Sequence, residues 1–341
     1  MQRSRHPGGM RSDSPIGRFF MQKSLFAALV LGAASVAFPA LAEDIAIALH
    51  VEPGHEMFQV GERLKKNIEE KSEGRFTVTL LGTEVGGERD HLEGASSGEY
   101  QIALGGSMPM TLYAPKYAGA DLPFVFDASA DAKKVYEGEM GEQLRQAVRE
   151  TGNLELVGLS IRNPRNLTSK NPVKTPDDIQ GVRMRVPEIA PWVQIWTEIG
   201  ALPSPIAWPE VYTALQTGVI DMQENPVDYI WSGKLFEVQS YVAKTQHVYS
   251  FFHWLMNEDF YQGLSEEDRA MLQESVDEAI AWGDELVTGN EAKLYEQLQE
   301  KGMQVVEPDV AAFRAKAAPA IRKIADGFAP EVRDYVLSKL N

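Results

Sequence analysis

Apolar residues recur with two different periods along this chain, and the alternation between them outlines its architecture. Ile45, Ile47, Leu49 and Val51 alternate with smaller or polar residues, which predicts a strand over 45–51. A helical pattern over Met57–Lys71 follows, then strand positions Phe76, Val78 and Leu80, a helix around Glu88–Ser96, and a strand at Gln101–Leu104 ending in Gly105-Gly106-Ser107. The apolar block Leu122-Pro123-Phe124-Val125-Phe126 closes this part, and one helix is expected from about Ala130 to Thr151. A second unit opens with a strand over Leu154–Ile161. Thr175-Pro176-Asp177-Asp178 carries the marks of a helix start: a capping threonine, proline at the first position, acids in the first turn. Within residues 181–226, three short strands alternate with two helical patterns, the second opened by Pro209-Glu210 and ended by Gly218. Strands alternating with helices in both halves predict two α/β lobes.

The last third adds a connecting element. Ser265-Glu266-Glu267-Asp268 resembles a capping box, and helical spacing continues through Leu272, Val276, Ile280, Leu286, Leu294 and Leu298 to Gly302. A single helix over 265–299 would span ~52 Å at its standard rise. A lobe of 150 residues has a diameter of only ~38 Å, so such a helix would brace both lobes. Gly283 and Gly289 are poor interior residues and leave a second possibility, two helices broken near one of them.

Composition changes the picture at the N-terminus. Residues 23–42, KSLFAALVLGAASVAFPALA, set a lysine before an apolar run that ends in a small-x-small cleavage pattern, Ala40-Leu41-Ala42. The expectation is a signal peptide over 1–42, with translation starting at Met1 or at Met21. A membrane anchor is the alternative, disfavoured because the run is short and alanine-rich. Of 33 basic and 49 acidic side chains, five and one lie in this segment, which leaves the remainder at a formal charge of −20. Nucleic acid is excluded as a partner, since no basic stripe exists to release counterions, and an anionic membrane surface is disfavoured for the same reason. The chain has no cysteine, so disulfides, thiol nucleophiles and cysteine-ligated metals are excluded.

No catalytic signature stands out: GxSxG, HExxH, GxxxxGK[ST] and GxGxxG are all missing. His50 and His55 flank Pro53-Gly54 at a spacing that suits a metal poorly, so neither metal nor cofactor is expected. His247 and His253 read as structural or ligand-facing hydrogen-bonders. The informative pattern lies in Val182-Arg183-Met184-Arg185-Val186. The apolar residues share one face of this strand and the two arginines the other. A lone arginine on a polar face is ordinarily solvated, but Arg185 ends its strand just before Pro187, and ligands of open α/β sheets bind beyond the carboxyl ends of strands. Another strand runs into Glu224-Asn225-Pro226. Taken singly, Arg165 reads as a loop charge, Trp208 as core filler and Asn225 as a turn residue. All six tryptophans fall between 192 and 282, which favours an aromatic-lined pocket.

Four segments together carry a resemblance: GTEVGGERDHLEGASSGEYQIALGG, DLPFVF, RNLTSKNPVKTPDDIQGVRMRVPE and PSPIAWPEVYTALQTGVIDMQENP. With the export signal, they make the chain resemble the substrate-binding proteins of tripartite ATP-independent periplasmic (TRAP) transporters, of the dicarboxylate-binder family. The resemblance covers nearly all of the chain after residue 42. It implies a two-lobed periplasmic binding protein of α/β class, with mixed sheets, crossing strands and a long bracing helix. Lobe I would comprise 43–162 and 251–290, and lobe II 163–250 and 291–341. Such a protein closes around an organic anion and delivers it to a membrane permease driven by an ion gradient.

Residue by residue, the resemblance implies that Arg185 forms the salt bridge to the ligand carboxylate. Arg165 stands at a second arginine found in many members, Asn225 at the ligand-contacting asparagine of Q-E-N-P, and Trp208 at an aromatic position packing on the ligand before E-V-Y. Glu88 and His50 fall in regions that line the opposite wall. Met222 departs from the commoner D-G-Q-E-N-P and bears on fine specificity. The function implied is capture of a sugar acid, hydroxy acid or keto acid by a periplasmic monomer, with no enzymatic activity. A zwitterionic compatible solute resembling ectoine is the alternative ligand, which one arginine would serve. A secreted enzyme or a scaffold on the same architecture stand as further alternatives.

Overall fold

A computed structural model describes residues 43–340. The expected signal peptide, 1–42, lies outside the described residues. Eleven strands form two mixed sheets. In chain order they are β1 (Glu43–Leu49), β2 (Phe76–Leu81), β3 (Ile102–Gly105), β4 (Leu154–Ile161), β5 (Arg165–Ser169), β6 (Arg183–Val186), β7 (Leu202–Pro205), β8 (Met222–Pro226), β9 (Tyr241–Ala243), β10 (Phe251–Asn257) and β11 (Gln304–Val306). The first sheet runs β2-β1-β3-β10-β4, the second β11-β9-β5-β8-β6-β7. In the first, β1 lies parallel to β2 and β3, and β10 runs antiparallel to β3 and β4. In the second, β6 is parallel to β7 and β8, while β5 is antiparallel to β8 and β9. β7 contains Pro203 and Pro205 and occupies the edge, where prolines remove no ladder bond.

The chain passes between the sheets by β4 to β5, through Arg162-Asn163-Pro164, and by β9 to β10, through residues 244–250. These passages, with the two mixed sheets, give the expected two-lobed α/β architecture. The last third is one helix, Glu266–Glu300, of 35 residues. Ser265 caps it by accepting a hydrogen bond from the Asp268 N–H at 3.0 Å. It packs on the helix Glu56–Lys71 and on β4, and further along on the helix Val227–Ser232 and β11, so it touches elements of both sheets. Gly283 has a packing reason to be there: a Cβ would sit 2.5 Å from Val60 Cγ2. Nothing lies within 4 Å of a Cβ at Gly289. The helix passes through both glycines unbroken.

Two sequence expectations need correction. The helix expected from about Ala130 to Thr151 is broken into Ser129–Lys133, a 3-10 turn at Lys134–Tyr136, and Gly138–Gly152. Gly138 has φ +59°, a conformation that stops the first helix and redirects the chain into the second. The start signal at Thr175 yields only a 3-10 turn, Pro176–Ile179. Asp178 Oδ2 does accept from the Thr175 N–H at 2.8 Å, but Gly181 at φ +71° turns the chain into β6 before a helix can propagate.

Candidate functional site

The carboxyl ends of β1 and β3 face those of β6 and β8 across a narrow cleft, with about 320 Å³ of non-atom space when open solvent is included. All six sequence candidates line it: His50, Glu88, Arg165, Arg185, Trp208 and Asn225. Ser107, Arg162, Pro187, Ile189, Trp192 and Tyr229, none of them singled out from sequence as site residues, complete the lining.

Arg185 follows from the period-two pattern of β6. Met184 and Val186 are buried in the core below, and Arg183 and Arg185 project on the other face. The two arginines then part company. Arg183 is exposed and forms a fork with Asp221, both N–H···O distances 2.8 Å. Arg185 is only 4% exposed. Its Nε donates to the Ile206 carbonyl at 2.8 Å. Among the described residues no carboxylate approaches it within 4.0 Å. Burial draws its pKa down to about 10, with Glu224 acting in the opposite direction, so the guanidinium stays charged at neutral pH.

Arg165 has a different environment. Its Nε donates to Glu224 Oε2 at 2.5 Å, and Nη2 donates to Glu224 Oε1 and to the Glu224 carbonyl, both at 2.8 Å. The geometry comes from the sheet: β5 and β8 are antiparallel with Leu167 opposite Glu224, so Arg165, two residues along β5, shares a face with Glu224. Glu224 also contacts His247 Nε2 at 3.0 Å. Burial would raise its pKa, but Arg165 and His247 overcome this and hold it at about 2. Arg165 therefore brings little unneutralised charge to the cleft. Trp192 lies against its guanidinium, 5.0 Å from Cζ to the ring centroid. Asn225, on β8, directs its Nδ2 to Gln223 Oε1 at 2.7 Å, which leaves its own oxygen as an acceptor. Trp208 donates its indole N–H to Glu52 Oε1 across the cleft at 2.9 Å and meets Tyr229 edge-on at 5.1 Å.

The opposite wall carries neutral rings, one carboxylate and the enclosed guanidinium of Arg162. His50 Nδ1 lies 2.7 Å from the Leu104 carbonyl, and its Nε2 lies 2.9 Å from the Tyr229 hydroxyl. Burial lowers its pKa to about 4, so the ring is neutral at physiological pH, donating to the carbonyl and accepting from the tyrosine. Glu88, at the start of the helix Glu88–Ser97, accepts from the Gly106 N–H at 2.7 Å and the Met108 N–H at 3.3 Å, both on Oε1. Burial pushes Glu88 upward, yet His50, Arg162 and these two N–H groups prevail, and its pKa is lowered.

Arg162 is the residue the sequence reading passed over. It is 4% exposed, and no carboxylate among the described residues lies within 4.0 Å. Its guanidinium lies over Phe252 at 4.7 Å and near Tyr229 at 5.3 Å. The available signal was its place at the end of β4, three residues before Arg165, where the chain crosses between sheets.

His247 and His253 are structural. His247 bridges Thr245 Oγ1 and Glu224, and His253 lies between the Gly106 carbonyl and the Tyr136 hydroxyl. His55 accepts from the Met57 N–H as a helix cap and faces Asp228 at 3.1 Å. Among the described residues no group of three or more histidine and acidic side chains is arranged to hold a metal ion. Of the six tryptophans only Trp192 and Trp208 line the cleft; Trp196 and Trp254 are core.

Residues 47–327 match the sequence family described as bacterial extracellular solute-binding protein, family 7. A solute-binding protein of Roseobacter denitrificans is 32% identical over 307 residues, covering 89% of this chain and 94% of that one. The 2,3-diketo-L-gulonate-binding periplasmic protein of Escherichia coli is 30% identical over 241 residues, covering 70% and 73%. A crystal structure of a TRAP periplasmic solute-binding protein from Roseobacter denitrificans, with bound L-galactonate, superposes with a TM-score of 0.82 at 31% identity, covering 87% of this chain and 98% of that one. One from Sulfitobacter, with bound β-D-galacturonate, gives 0.80 at 26% identity, covering 86% and 98%.

Proposed function

The chain belongs to family 7 of the bacterial extracellular solute-binding proteins, and from that premise we propose that it captures a small organic carboxylate between its two sheets. It acts as the periplasmic receptor of a TRAP transporter and passes the ligand to membrane permease subunits. The observation that carries this reading is Arg185: a buried guanidinium on the cleft wall whose Nε is fixed by a backbone carbonyl and whose amino groups have no protein carboxylate. A planar fork held in this way suits bidentate pairing with a ligand carboxylate. Arg165, through its Nη1, and Asn225, through its oxygen, complete the polar contacts, and Trp208 and Trp192 cover the carbon skeleton. Glu88 and His50 face the ligand from the other wall. Relatives with bound galactonate and galacturonate support a sugar acid as the ligand class. The zwitterionic solute is not favoured, and the relatives are solute-binding proteins rather than enzymes.

Lobe I (43–162 and 251–290) and lobe II (163–250 and 291–341) hinge at the crossings 162–164 and 244–250. The ligand draws the lobes together, since it makes its full set of contacts only when both walls reach it. Thermal shift against a library of organic acids tests the assignment, because a ligand that binds only the folded state raises its apparent stability. A library in which no carboxylate raises the midpoint would refute it.

A further inference from the structure

The placement of charges in the cleft separates monoacids from diacids. Three guanidiniums, Arg162, Arg165 and Arg185, and one carboxylate, Glu88, line it, while Glu224 and Glu52 adjoin it through Arg165 and Trp208. Arg165 is chelated by Glu224. Arg162 shares its wall with Glu88: it helps keep Glu88 ionised, and Glu88 in turn favours the charged form of Arg162. Arg162 is also enclosed. Phe252 covers its face, its Nη1 reaches Ser107 Oγ at 3.4 Å, and Gly106 packs so closely that a Cβ there would sit 2.7 Å from that nitrogen. Asp228 lies outside the lining and turns to His55 and Asn163. Arg185 lines the opposite wall with its Nε on the Ile206 carbonyl and no carboxylate within 4.0 Å among the described residues.

Glu88 completes the polarity. Its Oε1 takes two backbone N–H groups, while its Oε2 has no hydrogen bond and stands 4.0 Å from His50 Nε2. A carboxylate oxygen left as a bare acceptor on a cleft wall suits a ligand hydroxyl, which can donate to it. It repels a second ligand carboxylate, which cannot.

We infer that the cleft selects a singly charged, hydroxylated acid and rejects the diacid of the same skeleton. The carboxylate binds Arg185, and hydroxyls at the far end donate to Glu88. This rests on the carboxylate reading above and narrows it. A dianion sets its second carboxylate against Glu88 at low dielectric, whereas the hydroxyl of a monoanion donates to the same oxygen.

The test is calorimetry on the exported chain with matched pairs: erythronate against meso-tartrate and galactonate against galactarate, within a wider panel of mono- and diacids. Like charges brought together at an interface cost several kcal/mol, so each monoacid should bind at least ~100-fold tighter than its diacid. Glu88→Gln removes the charge that repels a second carboxylate and should shift that ratio at least ~10-fold toward the diacid. A diacid binding within tenfold of its monoacid in the unaltered protein would overturn the inference and leave the carboxylate reading standing. So would strong discrimination that Glu88→Gln, folded by circular dichroism, leaves unchanged. If Glu88→Gln does not fold, the ratio in the unaltered protein decides. If no acid binds at all, the carboxylate reading fails and this inference with it.

Discussion

The two walls of the cleft solve different problems with the same residue types. On the wall built by β5, β6 and β8, arginines are fixed through the sheet: Arg185 by the Ile206 carbonyl, Arg165 by Glu224 two register positions away. On the wall built by β1, β3 and the helix Glu88–Ser97, the polar atoms are held by backbone groups at strand ends and a helix start, and the histidine is neutral. The first wall presents fixed positive charge, the second a carboxylate oxygen and a neutral ring beside the enclosed guanidinium of Arg162. Within the first wall the contrast repeats. Arg165 and Arg185 are both buried, yet one is matched inside the protein and the other is not. Burial alone therefore does not mark a binding arginine.

The largest expected effect breaks that pairing. Arg165→Ala leaves the buried Glu224 carboxylate with His247 as its one remaining partner, and should lower stability by ~3–5 kcal/mol in urea unfolding. Arg185→Ala removes no salt-bridge partner, only the hydrogen bond to the Ile206 carbonyl. It should lower stability by only ~0.5–1.5 kcal/mol and weaken the cognate acid by ~2–5 kcal/mol, about 30-fold to several-thousand-fold in Kd by calorimetry. Arg185→Lys should also bind more weakly, because lysine lacks the planar fork. If the two alanine variants exchanged phenotypes, the distinction between the arginines would be wrong.

A second comparison uses acid. His50 and His253 are lowered to about 4 by burial, so the stability they contribute as neutral rings is fully present above about 6.5 and is lost as pH falls toward 4. Glu224, held at about 2, contributes stability present above about 4.5 and lost as pH falls toward 2. Glu56 and Asp121, raised to about 7 by burial, work against the histidines: they stabilise below about 4.5 and lose this as pH rises through 7. Net stability between 4.5 and 6.5 mixes these opposing terms, so the sharper check is titration of the imidazole rings by NMR. His50 should remain neutral at pH 5.5, and a protonated ring at that pH would contradict the acceptor character of its wall.

Closure joins the walls. The Trp208–Glu52 and Tyr229–His50 hydrogen bonds cross the cleft, so small-angle scattering should show a more compact particle on saturation with the cognate acid. An unchanged profile from a protein that was open beforehand would place the ligand within one lobe. Trp208→Phe should have the smallest effect. Its indole N–H is engaged by Glu52, so the variant loses one closing hydrogen bond, ~0.5–1.5 kcal/mol, and keeps an aromatic face for the ligand.

Local pattern made much of this molecule legible. Period two in β6 put Arg183 and Arg185 on the face opposite Met184 and Val186, and the spacing after Ser265 gave a helix too long for one lobe. Gly138 ended a helix that apolar spacing alone would have continued, because a backbone conformation stopped it rather than a change in pattern. The sequence by itself determined most of the strands, the long helix and the face Arg185 takes on β6. Only the tertiary structure decided what the site residues meet. That Arg165 is chelated by Glu224 depends on β5 pairing with β8, with 52 residues between the strands in sequence. That Arg162 faces the cleft depends on where the crossing from β4 delivers it, and that His50 is neutral depends on its complete burial. Periodicity is a property of neighbours in the chain, whereas charge balance is set by neighbours in space, and at low dielectric the latter settles which cation is left for a ligand.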